Sequence, residues 1–197
     1  MKKVIINIVI LVLLAGLGLS CNQNLNEDPT LTSNKVTPHP ADDVQLINSV
    51  MVQLELDELI NSSDIILTGI VTGIGPVYRG TWQNTQLIFT DVVVETSQLL
   101  YGQTSEKVVI QTRGGRIDDS VTIAEDEPEF QLGEEVLLFL KHKPDSSSSA
   151  NLDLNSFIVT GMLQGKWSYK DSQAVGTAGQ YGISELETRI HSLRGSQ

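Results

Sequence analysis

The sequence predicts a mainly β domain with a short helix before it and a second helix at its C-terminal end. Apolar residues alternate with polar ones in several segments, as at Ile65, Leu67 and Val71, which share one side of a pleat. Residues 135–141 form the most apolar run and are bounded by charged residues. From Ser184 onward the apolar spacing becomes that of a helix. These three observations define the fold class.

Six segments are predicted to be strands. In the second of them the apolar side chains Ile88, Val92 and Val94 fall on one face. Asp91 and Glu95 then fall on the opposite face, which predicts a strand that is half-buried. The six segments are residues 64–72, 87–96, 107–112, 121–123, 135–141 and 157–169.

Loops and bends are predicted between these strands. Residues 78–86 and 114–131 are expected to form long loops, and the serine-rich residues 143–151 a third one. Gly161 and Gly165 lie inside the last predicted strand, where small residues are typical of a bulge or a bend.

An apolar stripe with helical spacing is predicted before the sheet. Residues 46–60 fit one helix or two short ones, which would pack this stripe against the rest of the domain. The stripe consists of Leu46, Ile47, Val50, Leu54 and Leu59.

A helix is predicted at the C-terminal end of the domain, where Ile183, Leu186, Ile190 and Leu193 recur at helical spacing. Ser184 and Glu187 have the S-x-x-E spacing of a capping box, and Gly195 suits the end of the helix. We expect this helix to pack on the sheet, with partner binding as the alternative.

The N-terminal residues have the pattern of a secretory leader. Lys2 and Lys3 precede the apolar residues 4–19, and Cys21, the single cysteine of the chain, follows at once. Residues 18–21, Gly-Leu-Ser-Cys, resemble the lipobox of bacterial lipoproteins. The resemblance implies that Cys21 carries a lipid. An ordinary signal peptide cut near residue 20 and an uncleaved membrane helix are the alternatives.

The leader divides the chain into three parts. Residues 1–20 are predicted to be the lipoprotein signal peptide, residues 21–43 a flexible tether rich in Asn, Thr and Pro, and residues 44–197 the extracytoplasmic domain. The expected location is therefore the extracytoplasmic face of a cell membrane, to which acyl chains hold the protein.

The charge of the chain excludes one class of partner. The chain has 13 Lys and Arg and 24 Asp and Glu, and removal of the leader takes away Lys2 and Lys3, so the remaining formal charge is 11 − 24 = −13. Nucleic acid is excluded as an expected partner because its binding needs a positive surface. Because Cys21 has no second cysteine to pair with, stability must come from a hydrophobic core.

Half of the chain carries a resemblance to a known family. In chain order the segments are ELDELI (55–60), SDIILTGIV (63–71), FTDVVV (89–94), LLYG (99–102) and FQLGEEVLLFL (130–140). They resemble the barrel of netrin-like domains and tissue inhibitors of metalloproteinases, and uncharacterised bacterial extracytoplasmic domains of the same layout. The resemblance implies a five-stranded OB-like Greek-key barrel. The inhibitors of that family use disulfides and a free N-terminal cysteine that reaches the protease zinc. Because this chain has a single cysteine, the resemblance assigns no inhibitory residue here.

Two groups of titratable residues are candidate metal ligands. Six acids in residues 118–129 could hold calcium, but they lack the D-x-[DN]-x-[DN]-G spacing, so a solvated acidic loop is the main expectation. They are Asp118, Asp119, Glu125, Asp126, Glu127 and Glu129. His39, His142 and His191 form no H-x-x-x-H pair, and we predict neither a metal site nor a cofactor.

Two further motifs are candidates for binding. Residues 113–116, Arg-Gly-Gly-Arg, lack the G-K-[ST] ending of a phosphate loop and are predicted to be a turn. Four aromatic residues could line an exposed binding face, with the core or its rim as the main alternative. They are Tyr78, Trp82, Trp167 and Tyr169.

These observations favour a membrane-anchored, non-catalytic module that binds a protein or another envelope component. An envelope enzyme or protease inhibitor is the first alternative, although no histidine can be placed beside serines such as Ser97 or Ser156 from the sequence. A calcium-stabilised structural module is the second. No catalytic residue is predicted, and Cys21 is the one assigned site.

Overall fold

The computed structural model describes residues 43–143 and 156–195, and these residues are mainly β, as the sequence predicts. The first strands are β1 (Asp43–Ile47), β2 (Ile65–Trp82), β3 (Thr85–Tyr101), β4 (Lys107–Arg113), β5 (Gly115–Ile117) and β6 (Ser120–Ala124). The later ones are β7 (Glu135–His142), β8 (Ser156–Val159), β9 (Lys166–Lys170), β10 (Gln173–Gly176) and β11 (Gly179–Gly182). The helices are α1 (Leu56–Asn61) and α2 (Ile183–Arg194), and a 3₁₀ turn spans Met162–Gly165.

Strands β2 and β3 form a long antiparallel hairpin that pairs as far as Trp82 and Thr85. Its turn consists of Gln83 and Asn84, both with positive φ (47° and 66°), which suits a two-residue connection between right-twisted strands. The expectation of a long loop over residues 78–86 is wrong. The sequence of β2 contains glycines and a proline, which are typical of loops. The strand continues through them because register shifts between Ile74 and Val77 accommodate these residues.

Five strands, β2, β3, β4, β8 and β7, each pair on two sides with other members of the same five. Strand β2 lies between β3 and β7, β3 continues to β4, and β4 pairs in parallel with β8. Strand β8 also pairs antiparallel with β7, with Leu140 opposite Val159. Strands β9, β10 and β11 extend the large sheet from β7, whereas β1, β6 and β5 form a separate three-stranded sheet.

Two hydrophobic cores lie on opposite faces of β2 and β7, because successive side chains of a strand point in opposite directions. Ile65 and Leu138 belong to the first core, which is built by the five doubly paired strands. Ile66 and Leu137 belong to the second, which packs under α1, α2 and β9. Burial on both faces explains why residues 136–140 are uniformly apolar.

The helix expected over residues 46–60 is largely wrong. Leu46 and Ile47 lie in β1, which pairs with β6, and only α1 is helical. Val50 is almost fully exposed, so no continuous apolar stripe packs in this segment. At the start of α1 the backbone N–H of Glu55 donates to Glu58 Oε2 over 2.9 Å, an interaction typical of a capping box.

The C-terminal helix is present, but its expected cap is not formed. The N-cap residue of α2 is Gly182, and Ser184 and Glu187 both lie within the helix. Glu187 instead accepts a hydrogen bond from Gln98 Nε2 at 2.7 Å. Gly195 ends the helix with φ of 77°, as its position in the sequence indicates.

Two further stretches differ from expectation. The stretch 157–169 is two strands, β8 and β9, separated by the 3₁₀ turn that follows Gly161, whose φ is 65°. The expected loop at 114–131 contains the hairpin of β5 and β6, and the short strand predicted at 121–123 is present in β6. Of the predicted loop at 143–151, residues 144–151 lie outside the described residues, as does Cys21. Within the described part of the chain, no helix is long and apolar enough to cross a membrane.

Candidate binding cleft

The structure describes two of the three histidines, since His39 lies outside the described residues. His142 ends β7, where its Nδ1 lies 3.1 Å from Asp64 Oδ2 and its ring packs on Phe157. Burial opposes the ionisation of Asp64, but hydrogen bonds from His142 outweigh it and lower the pKa of this carboxyl. His191 is exposed on α2, so the structure does not bring these histidines together.

The acidic residues 118–129 contact different partners and do not form one cluster. Asp126 and Glu127 both bind Arg113, and Glu125 accepts a hydrogen bond from Asn48. Among residues 43–143 and 156–195, no three His, Cys, Asp or Glu side chains are grouped so that they could hold a metal ion. Asp118 lies apart, at the turn between β5 and β6.

Arg113 forms a buried ion pair with two carboxylates at the end of β4. Its Nε donates to Glu127 Oε1 at 2.6 Å and its Nη2 to Asp126 Oδ2 at 3.0 Å, and the exposed fractions of the three side chains are 9% for Arg113, 15% for Glu127 and 4% for Asp126. Burial alone lowers the pKa of Arg113, but the two carboxylates more than reverse this shift. Burial raises the pKa of Glu127. Gly114 then links β4 to β5, so residues 113–116 span a bend between strands.

The four aromatic residues do not share one face. Trp167 is fully buried in the second core, where it packs on Phe139 and Tyr181, and Tyr169 packs against the same core. Tyr78 stacks on Phe89, whereas Trp82 lies at the end of β2 with the Arg113 guanidinium 5.8 Å from its ring centroid. Only Trp82 of the four contributes to the cleft described below.

A polar network that sequence reasoning missed lies between β2, β3 and β4. The Tyr78 hydroxyl donates to Asp91 Oδ1 at 3.0 Å and accepts a hydrogen bond from Gln111 Nε2. Asp91 and Gln111 are opposite each other on paired strands and are exposed by only 2% and 4%. The expectation that Asp91 faces solvent is therefore wrong. Burial raises the pKa of Asp91, and the hydrogen bond from Tyr78 offsets this only in part.

Two acceptor atoms of this network are unsatisfied. Within the described residues, Asp91 Oδ2 and Gln111 Oε1 are buried and have no hydrogen-bond partner. Such groups cost free energy because they have lost their contacts with water. Unsatisfied buried atoms in native proteins are explained by strain, by a catalytic role or by an ordered water or ion.

Gln111 and Arg113 line a cleft of about 500 Å³. One wall is the end of β1 with the residues after it, including Asn48, and another is the β2–β3 turn with Trp82. Leu87 and Phe89 of β3 line it although they are only 5% and 1% exposed, and the partly exposed Met162 lines it near the 3₁₀ turn. The volume lies in the range of small-ligand sites, and the mixture of apolar walls with a few polar groups is typical of them.

A second groove lies between α1 and α2. It has a volume of about 610 Å³, and its main polar feature is the pair of Arg189 with Asp57, whose side chains are 51% and 39% exposed. Because this pair is solvated and its atoms already bind each other, the groove has less to offer a ligand than the cleft.

No protein-family model matches this chain, and no curated protein matches its sequence. The cleft is therefore interpreted from its own residues. Sequence reasoning did single out Trp82 and Glu127, but the pairing that brings them to Gln111 depends on strand register, which the local sequence does not specify.

Proposed function

We propose that this protein is a membrane-anchored extracytoplasmic lipoprotein whose domain is a non-catalytic binding module, with the cleft as its binding site. The observation that carries the proposal is the cleft itself, about 500 Å³ in volume, where the partly exposed Trp82 and the exposed amides of Asn48 and Gln83 lie near Arg113. Apolar surface combined with a few polar groups is typical of ligand sites.

The anchoring part of the proposal rests on Cys21, which follows an apolar leader and two lysines. In the three-part division, residues 1–20 are removed, residues 21–43 serve as tether except for Asp43, which begins β1, and residues 44–197 form the binding domain. The partner is then a protein or another component of the cell envelope. The net charge of −11 makes nucleic acid an unsuitable ligand.

We also propose that the five doubly paired strands form an OB-like Greek-key barrel related to netrin-like domains. The order β2-β3-β4-β8-β7, with β4 and β8 parallel and β8 returning to β7, supports this proposal. The cleft lies on the second and third strands of that order and on the turn that joins the first two, a surface that OB-type barrels use for ligands.

The anchor is tested by Cys21→Ser. Loss of the thiol is expected to release the protein from membranes or to leave unprocessed precursor, since the acyl chains are what hold it there. Metabolic labelling with a fatty-acid analogue, followed by membrane fractionation, checks this. A wild-type protein that is cleaved elsewhere and carries no label would contradict the lipoprotein assignment.

The binding site is tested by photo-crosslinking in native membranes. A photoreactive amino acid at Thr85, on the rim of the cleft, is expected to capture an envelope component. The same group at Glu185, an exposed residue of α2, serves as the matched control. Equal capture at both positions, or none at Thr85, would contradict a binding role for the cleft.

A further inference from the structure

We propose that the loop between β1 and α1, residues 48–54, inserts its apolar side chains into the surface of the lipid bilayer that carries the anchor. This inference rests on the anchoring part of the proposed function, because the anchor holds the loop near a membrane. The exposure, the fixed backbone and the charge of the loop support it.

The loop presents consecutive apolar side chains to solvent. Val50 and Val52 are the two most exposed large hydrophobic residues in the part of the chain that the structure describes, at 99% and 75%, and Met51 lies between them at 40%. Three exposed apolar residues in a row are unfavourable on a solvated surface and are typical of a functional contact. The loop is therefore expected to meet an apolar partner.

Hydrogen bonds fix the backbone at both ends of the loop. Gln164, a buried residue of the 3₁₀ turn, donates from Nε2 to the Val52 carbonyl at 2.9 Å and accepts from the Leu54 N–H through Oε1 at 2.8 Å. At the other end, Asn48 Nδ2 donates to Glu125 Oε2 at 3.2 Å. Because the backbone is bonded in this way, little order has to be gained when the exposed side chains meet a partner.

The sequence of the loop and of the strand before it lacks charge. Residues 44–54 contain no Asp, Glu, Lys or Arg, although 19% of the chain is charged. Charged side chains resist entry into lipid, so their absence is what insertion at a membrane surface requires. The flanking acids Asp43 and Glu55 suit the headgroup layer of a zwitterionic membrane better than that of an anionic one.

The position of the loop in the chain favours a membrane as the partner. Between the lipidated Cys21 and β1 lie 42 − 21 = 21 residues, and a flexible tether of this length spans about 25 Å on average. The loop follows β1 directly, so it lies within reach of the bilayer. Because the acyl chains already hold the protein there, contact by three side chains is an intramolecular step that needs little further affinity.

A second copy of the chain is the alternative occupant. Each partner in a stable protein complex contributes roughly 800 Å² of surface, which is far more than three side chains cover. Insertion into a bilayer has no such requirement when an acyl anchor supplies most of the affinity. The membrane is therefore the partner that this loop fits.

Fluorescence quenching tests the inference on the full-length, lipidated protein in phosphatidylcholine vesicles. An environment-sensitive dye is attached to Val50→Cys, where the new thiol is the reactive one because Cys21 is blocked by its lipid. We expect a blue-shifted emission that bromine-labelled phosphatidylcholine quenches. Leu132→Cys is the matched control, since Leu132 is also apolar and 68% exposed but precedes Glu134 and Glu135. Its dye is expected to be quenched severalfold less.

Val52→Asp, added to Val50→Cys, is the second variant, because a carboxylate two residues from the dye opposes entry into lipid. It is expected to reduce quenching to the level of Leu132→Cys, whereas Val52→Leu, which keeps an apolar side chain, leaves it unchanged. Flotation on a density gradient shows whether each variant remains anchored, and thermal melts identify any that fails to fold.

Equal quenching at Val50 and Leu132, or none at Val50 in protein that floats with the vesicles, would overturn the inference and leave the anchor in place. A blue shift without lipid quenching that grows with the protein-to-lipid ratio would assign the loop to contact with a second copy. Wild-type protein that takes up dye at Cys21 and does not float would contradict the anchor, and the inference with it.

Discussion

Arg113 joins the end of β4 to the acidic segment through the two hydrogen-bonded carboxylates of Asp126 and Glu127. Removal of the guanidinium leaves two buried carboxylates without a counter-charge. We expect Arg113→Gln to lower the free energy of unfolding by about 3–5 kcal/mol, the usual cost of breaking a buried pair. Denaturant unfolding at neutral pH measures this change.

Arg189→Gln is the matched control, since Arg189 also binds one acidic side chain through two nitrogens but is half exposed. Its loss is expected to change the unfolding free energy far less, because solvent screens the pair. Equal losses for Arg113→Gln and Arg189→Gln would mean that the Arg113 pair is not buried as described.

Asp91 gives a pH-dependent prediction. Its pKa is raised in the folded protein, so folding disfavours the charged form. The resulting penalty is absent below the unfolded-state pKa and grows as the pH rises through the folded-state pKa. Asp91→Asn, which keeps an acceptor for Tyr78, is therefore expected to be more stable than wild type at neutral pH.

Unfolding free energies of Asp91→Asn and wild type, measured from acid to neutral pH, check this sign. The difference is expected to shrink as the pH falls from the folded-state pKa to the ordinary pKa of aspartate, and to stay at its minimum below it. A stabilisation of Asp91→Asn that is independent of pH would point to a cause other than ionisation.

The sequence predicted the identity of several site residues but not their environment. Asp91 was assigned to solvent because one face of its strand carries apolar residues, yet Leu87 and Phe89 show that the opposite face of β3 is buried as well. Asp91 has two partners in the network. Tyr78 lies 13 residues before Asp91, and Gln111 lies on the next strand. Only the register of three strands brings them together.

At the scale of single elements, β7 is one of the two strands, with β4, whose predicted bounds were most accurate. The expected residues 135–141 correspond to Glu135–His142, and Leu138 is fully buried in the first core. We expect Leu138→Ala to lower the unfolding free energy by about 2–5 kcal/mol, because the truncation leaves a cavity. Denaturant midpoints provide the measurement.

Leu132→Ala is the control of identical chemistry, since Leu132 is 68% exposed just before β7. It should cost little, as surface truncations do. If both variants lose the same stability, the first core is not closed around Leu138.

Elements that depend on distant partners could not be predicted. Strand β1 has too few residues to show a clear alternation of apolar side chains. Its pairing with β6 is the reason that this segment is a strand and not the expected helix. Strands β10 and β11 are short and poor in apolar residues, and they are held by pairing beyond β9. By contrast, α2 was found because its own periodicity places Leu186 and Ile190 in a core.

At the scale of the whole molecule, the described residues form two hydrophobic cores, so we expect the domain to fold without a metal ion. We expect residues 44–197, produced without leader and tether, to give a β-type circular dichroism spectrum and the same melting temperature with and without a chelator. A fall of several degrees on chelation would favour the calcium-stabilised module, with the acidic residues 118–129 as its site. The same protein is expected to turn over no esterase, peptidase or glycosidase substrate.

The parallel pairing of β1 with β6 affects the order in which a growing chain can fold. Asp43 pairs with Ser120, so 120 − 43 = 77 residues separate the partners. In a chain that emerges N-terminus first, β1 appears early but cannot pair until the hairpin of β5 and β6 has followed. During that interval Val44 and Leu46 belong to an unpaired strand, the kind of segment that associates with other chains. Of the described strands, the first to be made is thus the one that waits longest for its partner.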